Sequence, residues 1–278
     1  MDSNYVSPLW LKQLLQECEN EFADQTWPIK LLGKEGRKAV WAVSTILGAN
    51  SKGIPAQACR LLERYLAVRC QEAGPLLTNL EERERFKQML SSQLTVIIAA
   101  CVQLASKMSC AATALSPKVL QFCLLRRGIL CTVKDINRTE LQVFDKLGCK
   151  IPLFTSVDCA ELLAVEVGLP LCILRDIGLL VNIAEYHRDL LDQIVKDTVK
   201  LPASTMFNYT SLRTLHLAAG AVAAGARHFG HATVKPVSKL AKLTRAPVVY
   251  IKCIASVLLN DILRQDSDEP VPCKKRKV

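Results

Sequence analysis

Two segments restrict what this chain can fold into. Residues 93–108 carry Leu94, Ile97, Ile98, Cys101, Leu104, Ala105 and Met108, a continuous i, i+3, i+4, i+7 stripe. The remaining sides of this segment are also largely apolar, which suits a helix surrounded by other helices. Residues 211–228 (SLRTLHLAAGAVAAGARH) repeat the theme with smaller side chains. Each segment is third in a series of five helical patterns. The first series reads about 37–47, then on to about Cys70 after the breaker SKGIP, then 93–108. A short helix opened by Ser116-Pro117 follows, and 134–147 with Ile136, Val143, Phe144 and Leu147 closes the series. The second reads about 156–167, 171–198, 211–228, 234–243 and 247–264. Before both, Ser7 and Pro8 cap and open a helix with Leu11, Leu14, Leu15 and Cys18 on one face. The expected fold is all-α: two five-helix repeats, related by helix order rather than sequence identity, preceded by an N-terminal helix.

The expected boundaries are an N-terminal helix and linker over 1–35, a first repeat over 36–150, a second over 151–265 and a flexible tail over 266–278. IPLFTS at 151–156 joins the repeats. Residues 72–92 (EAGPLLTNLEERERFKQMLSS) are an insertion between the second and third helices of the first repeat. A tolerated surface loop is the preferred reading; the alternative, from Glu81 and Arg85 four apart, is that part of it is a solvated helix.

Composition agrees with helices packed on an aliphatic core. Half the residues are hydrophobic and 22% are charged, which excludes a disordered chain. Glycine and proline, 12 each, are too few for many short strands and tight turns, and aromatics make up only 5%. The 12 cysteines include no Cys-x-x-Cys pair, and the first residues lack the pattern of a signal peptide. Buried thiols in a reducing compartment are therefore expected. No uninterrupted apolar run approaches the roughly 18 residues of a membrane span. These features predict an intracellular protein that is neither secreted nor membrane-bound.

Charge is unevenly placed. Lys and Arg number 36 against 26 Asp and Glu, a net +10. Residues 151–210 hold 4 basic and 8 acidic side chains, whereas 211–264 hold 8 basic and one acidic. The second group includes Arg213, Arg227, Lys235, Lys239, Lys242, Arg245 and Lys252, so an acidic partner, DNA among them, is a candidate for this stretch. The tail PCKKRKV carries four consecutive cations, Lys274, Lys275, Arg276 and Lys277, after a helix-breaking proline. It resembles a monopartite nuclear import signal read by an import receptor, with Lys274 at the most deeply bound position.

Catalytic patterns are missing. GKEGRKAV at 33–40 lacks the spacing of a phosphate-binding loop. His228 and His231 have a His-x-x-His spacing with no third ligand nearby, and no His pairs recognisably with a Ser or Cys nucleophile. A non-enzyme without metal or cofactor is the expectation. Ser7-Pro8 and Ser116-Pro117 fit proline-directed phosphorylation and are equally explained as helix starts.

Several motifs, in order, resemble a cyclin box. The third helix ends in LASK at 104–107, and the second carries Glu63, Arg64, Tyr65 and Leu66 where cyclins have an acid, Arg, an aromatic and Leu. Arg37 opens the first helix, SPKVLQF at 116–122 is similar to the fourth, and Glu140 lies in the fifth, followed by IPLFT at 151–155. The likeness covers about 36–156 clearly and 157–265 more loosely. It implies a buried Arg37–Glu63 ion pair. It also implies that Lys107 and Glu140 sit side by side on a face that binds a cyclin-dependent-kinase-like partner.

The departures are specific. Gly36, Ala39, Val40 and Val43 stand where substrate-recruiting cyclins line a groove with Met, aliphatic residues and Trp, so that groove is expected to be absent or remodelled. Met108, Ser109 and Cys110 follow LASK where an aromatic and an acidic pair are usual, and 72–92 has no counterpart in cell-cycle cyclins. The resemblance is to a divergent branch associated with meiotic crossover maturation. It implies a nuclear regulatory or scaffold protein, with DNA-processing proteins as further partners. A kinase-independent adaptor binding DNA or peptide motifs, similar to B-type general transcription factors and retinoblastoma-type pockets, is the alternative.

Overall fold

The computed structural model describes residues 8–23, 31–76, 79–109, 114–199, 212–231 and 236–262. Its regular elements are all helical among these residues. In chain order they are α1 (Pro8–Ala23), α2 (Lys34–Ile46), α3 (Ile54–Ala73), α4 (Leu80–Ser109), α5 (Pro117–Leu125) and α6 (Val133–Lys146). Then follow α7 (Ser156–Glu166), α8 (Leu174–Tyr186), α9 (Arg188–Val199), α10 (Thr214–His228), α11 (Pro236–Thr244) and α12 (Val248–Val257).

Buried apolar side chains fall into two clusters. One runs from Leu32 to Leu147 and is centred on α4, whose residues Ile97–Ser106 are all buried and which packs on α2, α3 and α6. The other is built from α7 to α12 around α10, where every residue from Thr214 to Ala226 is buried. Small side chains make that crowding possible. A Cβ on Gly220 would stand 2.3 Å from Ile254 Cγ2, so only glycine permits this closeness of α10 and α12. Helix α1 belongs with the second cluster: Leu14 is fully buried there, with Leu11, Leu15 and Cys18 packed beside it.

Three expectations change. The 72–92 segment is not mainly a loop: from Leu80 it forms the first turns of α4, one helix of 30 residues and about 45 Å. Asn79 Oδ1 accepts from the Glu82 N–H, Glu82 reaches back to the Asn79 N–H, and the Glu81–Arg85 and Glu84–Lys87 ion pairs support the exposed turns. Residues 171–198 are not one helix, because the chain turns at His187 between α8 and α9. The second series therefore has six helices, with α9 inserted between its second and third members where the first series also has its insertion. The thiols are also not uniformly buried. None of the ten described cysteines is in a disulfide; Cys59, Cys101 and Cys159 are buried, whereas Cys70, Cys149 and Cys172 are exposed.

Helix α4 is the one described helix long and apolar enough to cross a membrane by length and composition, and 56% of the relevant window is buried within the protein.

The connection between the two halves is held by side chains of α3. Gln57 donates to the Pro152 carbonyl at 2.8 Å, Arg60 donates to Gln57 Oε1 and the Phe154 carbonyl, and Arg64 donates to the Lys150 carbonyl. Gly53, at φ +71°, lets this strap pass close to the start of α3, since a Cβ there would lie 3.0 Å from Thr155 Cβ. Thr155 and Asp158 then form a reciprocal cap that starts α7.

Candidate functional site

Lys107 lies near the C-terminal end of α4 and Glu140 near the middle of α6. The two helices pack together, and Lys107 Nζ donates to Glu140 Oε1. The lysine side chain is 44% exposed and the carboxylate 13%. This bridge leaves Nζ protons directed to solvent while the carboxylate is largely shielded, so the pair offers both a donor and an acceptor to an incoming backbone. Large apolar side chains are exposed nearby in the sequence: Met108 follows Lys107, Leu141 follows Glu140 at 66% exposure, and Leu130 in the α5–α6 connection is 89% exposed. Along α5, Val119, Phe122 and Leu125 are exposed at every third position, and Arg126 stacks over Phe122 at 4.6 Å.

Arg37 and Glu63 meet in the interior. Arg37 Nη2 donates to Glu63 Oε1 at 3.0 Å, and Glu63 also accepts from the Leu32 N–H, fixing the entry into α2. The sequence did not suggest the rest of this cluster. Arg37 Nε lies 3.6 Å from Asp189, and Arg188 pairs with the buried Glu185 at 3.3 Å, so α8 and α9 bring a second set of charges against α2 and α3. Burial pushes the Glu63 carboxyl up, against the opposing pull of Arg37 and Arg188. Beside the cluster, Trp41 of α2 packs edge-on against Tyr186 of α8 at 5.5 Å. The residues that could have lined a recruiting groove are used internally: Val40 is fully buried, and Gly36 accommodates the Leu32 side chain.

The basic stretch is divided among several helices. Arg227, Lys239, Lys242, Arg245 and Lys252 are exposed and Arg213 is half-buried. Lys239 already donates to the Glu166 carbonyl, and Arg245 pairs with Glu19 of α1 at 2.7 Å. Lys235 and the whole tail Lys274–Lys277 lie outside the described residues. His216 is buried at the start of α10, edge-on to Tyr250, and its Nδ1 accepts from the Arg213 N–H at 3.4 Å. Burial first, then Arg213 and Arg188, bring its pKa down to about 4. Among the described residues no group of three or more His, Cys, Asp or Glu is placed to hold a metal ion.

No protein-family model and no curated protein matches the sequence.

Proposed function

We propose that this chain is a divergent, two-repeat cyclin-fold protein that acts in the nucleus as a non-catalytic regulatory or scaffold subunit, and by resemblance serves meiotic crossover maturation. The first repeat docks a cyclin-dependent-kinase-like partner through Lys107 and Glu140. It favours the active placement of the kinase's regulatory helix by binding that conformation more tightly. The tail Lys274–Lys277 delivers the protein to the nucleus by way of an import receptor.

The observation that carries this reading is the bridge between Lys107 and Glu140 on two packed helices, with exposed Met108 and Leu141 beside them in sequence. The exposed apolar neighbours supply contact area for a partner, and the charge pair beside them supplies directional donors and acceptors. The buried Arg37–Glu63 pair, the LASK ending of the central helix and the tight α3–linker contacts support the same family reading.

Exchanging the two charges tests it. The double variant Lys107→Glu, Glu140→Lys keeps an ion pair between the helices, so the protein stays folded, while donor and acceptor trade places. Affinity purification from the native tissue followed by mass spectrometry should recover a kinase with the wild type and lose it, by about tenfold or more, with the variant. Equal recovery by both proteins, or no kinase with the wild type, refutes the proposal. Recovery of DNA-processing proteins alone favours the kinase-independent adaptor.

A further inference from the structure

We infer that the second half of the protein carries a separate docking cleft for a short acidic, aliphatic peptide segment of a partner protein. The cleft lies among α10, α11 and α12 and encloses about 440 Å³. Ala223 and Ala255 form its floor, Val237 contributes a wall, and Arg227 and Lys252 stand at its margin. Both cations are exposed, and neither has an ion-pair partner among the described residues. They differ in this from Arg245, which is held by Glu19, and from Lys239, which is held by the Glu166 carbonyl.

Helix order gives the site a precedent within the same molecule. In the first half the central helix α4 places Lys107 near its C-terminal end, opposite Glu140 on α6, and the two charges satisfy each other. In the second half the central helix α10 places Arg227 near its C-terminal end, and Lys252 comes from α12. Both side chains are basic, so they cannot bridge each other, and a cleft lies beside them. Alanines at 223 and 255 leave room above the floor, where larger side chains would fill it.

Charge complementarity selects the occupant. Two exposed cations of different chemistry lining one largely apolar cleft fit carboxylates spaced by an aliphatic side chain. The aliphatic side chain enters the cleft, and its flanking Asp or Glu residues meet Arg227 and Lys252. A nucleic-acid backbone would meet the charges but leave the apolar floor uncovered. The site is independent of the kinase-docking reading, because it uses neither Lys107 nor Glu140.

The test uses the full chain and a fluorescein-labelled peptide of alternating glutamate and leucine, read by anisotropy. Binding should weaken about tenfold in Arg227→Gln, Lys252→Gln. It should also be lost in Ser238→Trp, which puts a bulky side chain at the exposed rim and leaves the core untouched. Circular dichroism confirms that each variant is folded. Replacing the glutamates of the peptide by glutamine, or its leucines by serine, should each reduce binding by a similar factor. The Lys107→Glu, Glu140→Lys protein should bind the peptide as the wild type does. Absence of binding to the wild type, or binding unchanged by both cleft variants, overturns the inference. So does a DNA duplex that competes in the wild type and binds Ser238→Trp undiminished, since that result assigns the two cations to phosphate contacts.

Discussion

Arg37 shows how much of this fold rests on single side chains. It is almost fully buried and serves Glu63 and Asp189, on two different helices, at once. Truncating it leaves carboxylates in the interior with too few cations, the arrangement that costs most in a buried ion cluster. Arg37→Met should lower the unfolding free energy by about 3–5 kcal/mol, whereas the apolar double variant Arg37→Met, Glu63→Leu should recover a large part of that loss. Urea titration of the three proteins checks this, and a double variant no better than the single one contradicts it. His216 makes a second prediction, through pH. Its folded pKa of about 4 lies below the unfolded value of 6.5, so between these values the unfolded chain binds more protons. Its contribution is therefore complete above about pH 6.5 and is lost as pH falls towards 4, on the order of 3 kcal/mol in all. In His216→Gln the urea midpoint should depend on pH less steeply across that window, and an unchanged dependence would remove the assignment.

The packing of α10 against α12 shows what an element demands of its sequence. Gly220 costs helix propensity, yet a methyl group there would collide with the Ile254 side chain. Propensity alone predicts that Gly220→Ala stabilises the protein by nearly 1 kcal/mol. The contact predicts the reverse, a net loss of about 1–3 kcal/mol as the helices are forced apart. Thermal melting decides between the two signs, and a Gly220→Ala protein that melts above the wild type overturns the steric reading. Such elements were legible in the sequence as far as periodicity reaches. The central helices 93–108 and 211–228 and the Ser116 cap were readable from residue type and spacing, whereas the Arg37–Glu63 pair was implied only by the resemblance to a cyclin box. The helical start of α4 was legible only as the alternative reading, from Glu81 and Arg85, because residues 81–85 are all charged and the apolar spacing begins only at Phe86, Met89 and Leu90. The turn at His187 was missed for the opposite reason: apolar spacing continues across it, with no Gly or Pro to mark the break. The charges that α8 and α9 bring to Arg37 lie some 150 residues away along the chain, beyond what any local pattern can reveal.

Two hydrophobic clusters raise the question of whether the molecule unfolds in one step or two. Each contains its own central helix and enough buried side chains to protect that helix from exchange. They are nevertheless joined at two places, by the Arg37, Glu63, Glu185, Arg188 and Asp189 charges and by the α3 side chains gripping residues 150–154. Apart from the Trp41–Tyr186 contact, both joints consist of buried polar groups, which lose the most when only one side opens because the other is left unsatisfied. Opening either half alone therefore exposes the remaining half to that penalty, and the two should open together. Native-state hydrogen exchange should accordingly give the central amides of α4 and α10 a common free energy of opening. Gln57→Ala, Arg60→Ala removes the grip on the Pro152 and Phe154 carbonyls while leaving both apolar clusters intact. In that variant the two sets of amides should separate, one half opening at a free energy lower by about 1–3 kcal/mol for each buried group left unpaired. If α4 and α10 remain matched, the ion cluster alone couples the halves; adding Arg37→Met must then split them, and a chain that still opens as one would show that the clusters are coupled by apolar packing instead.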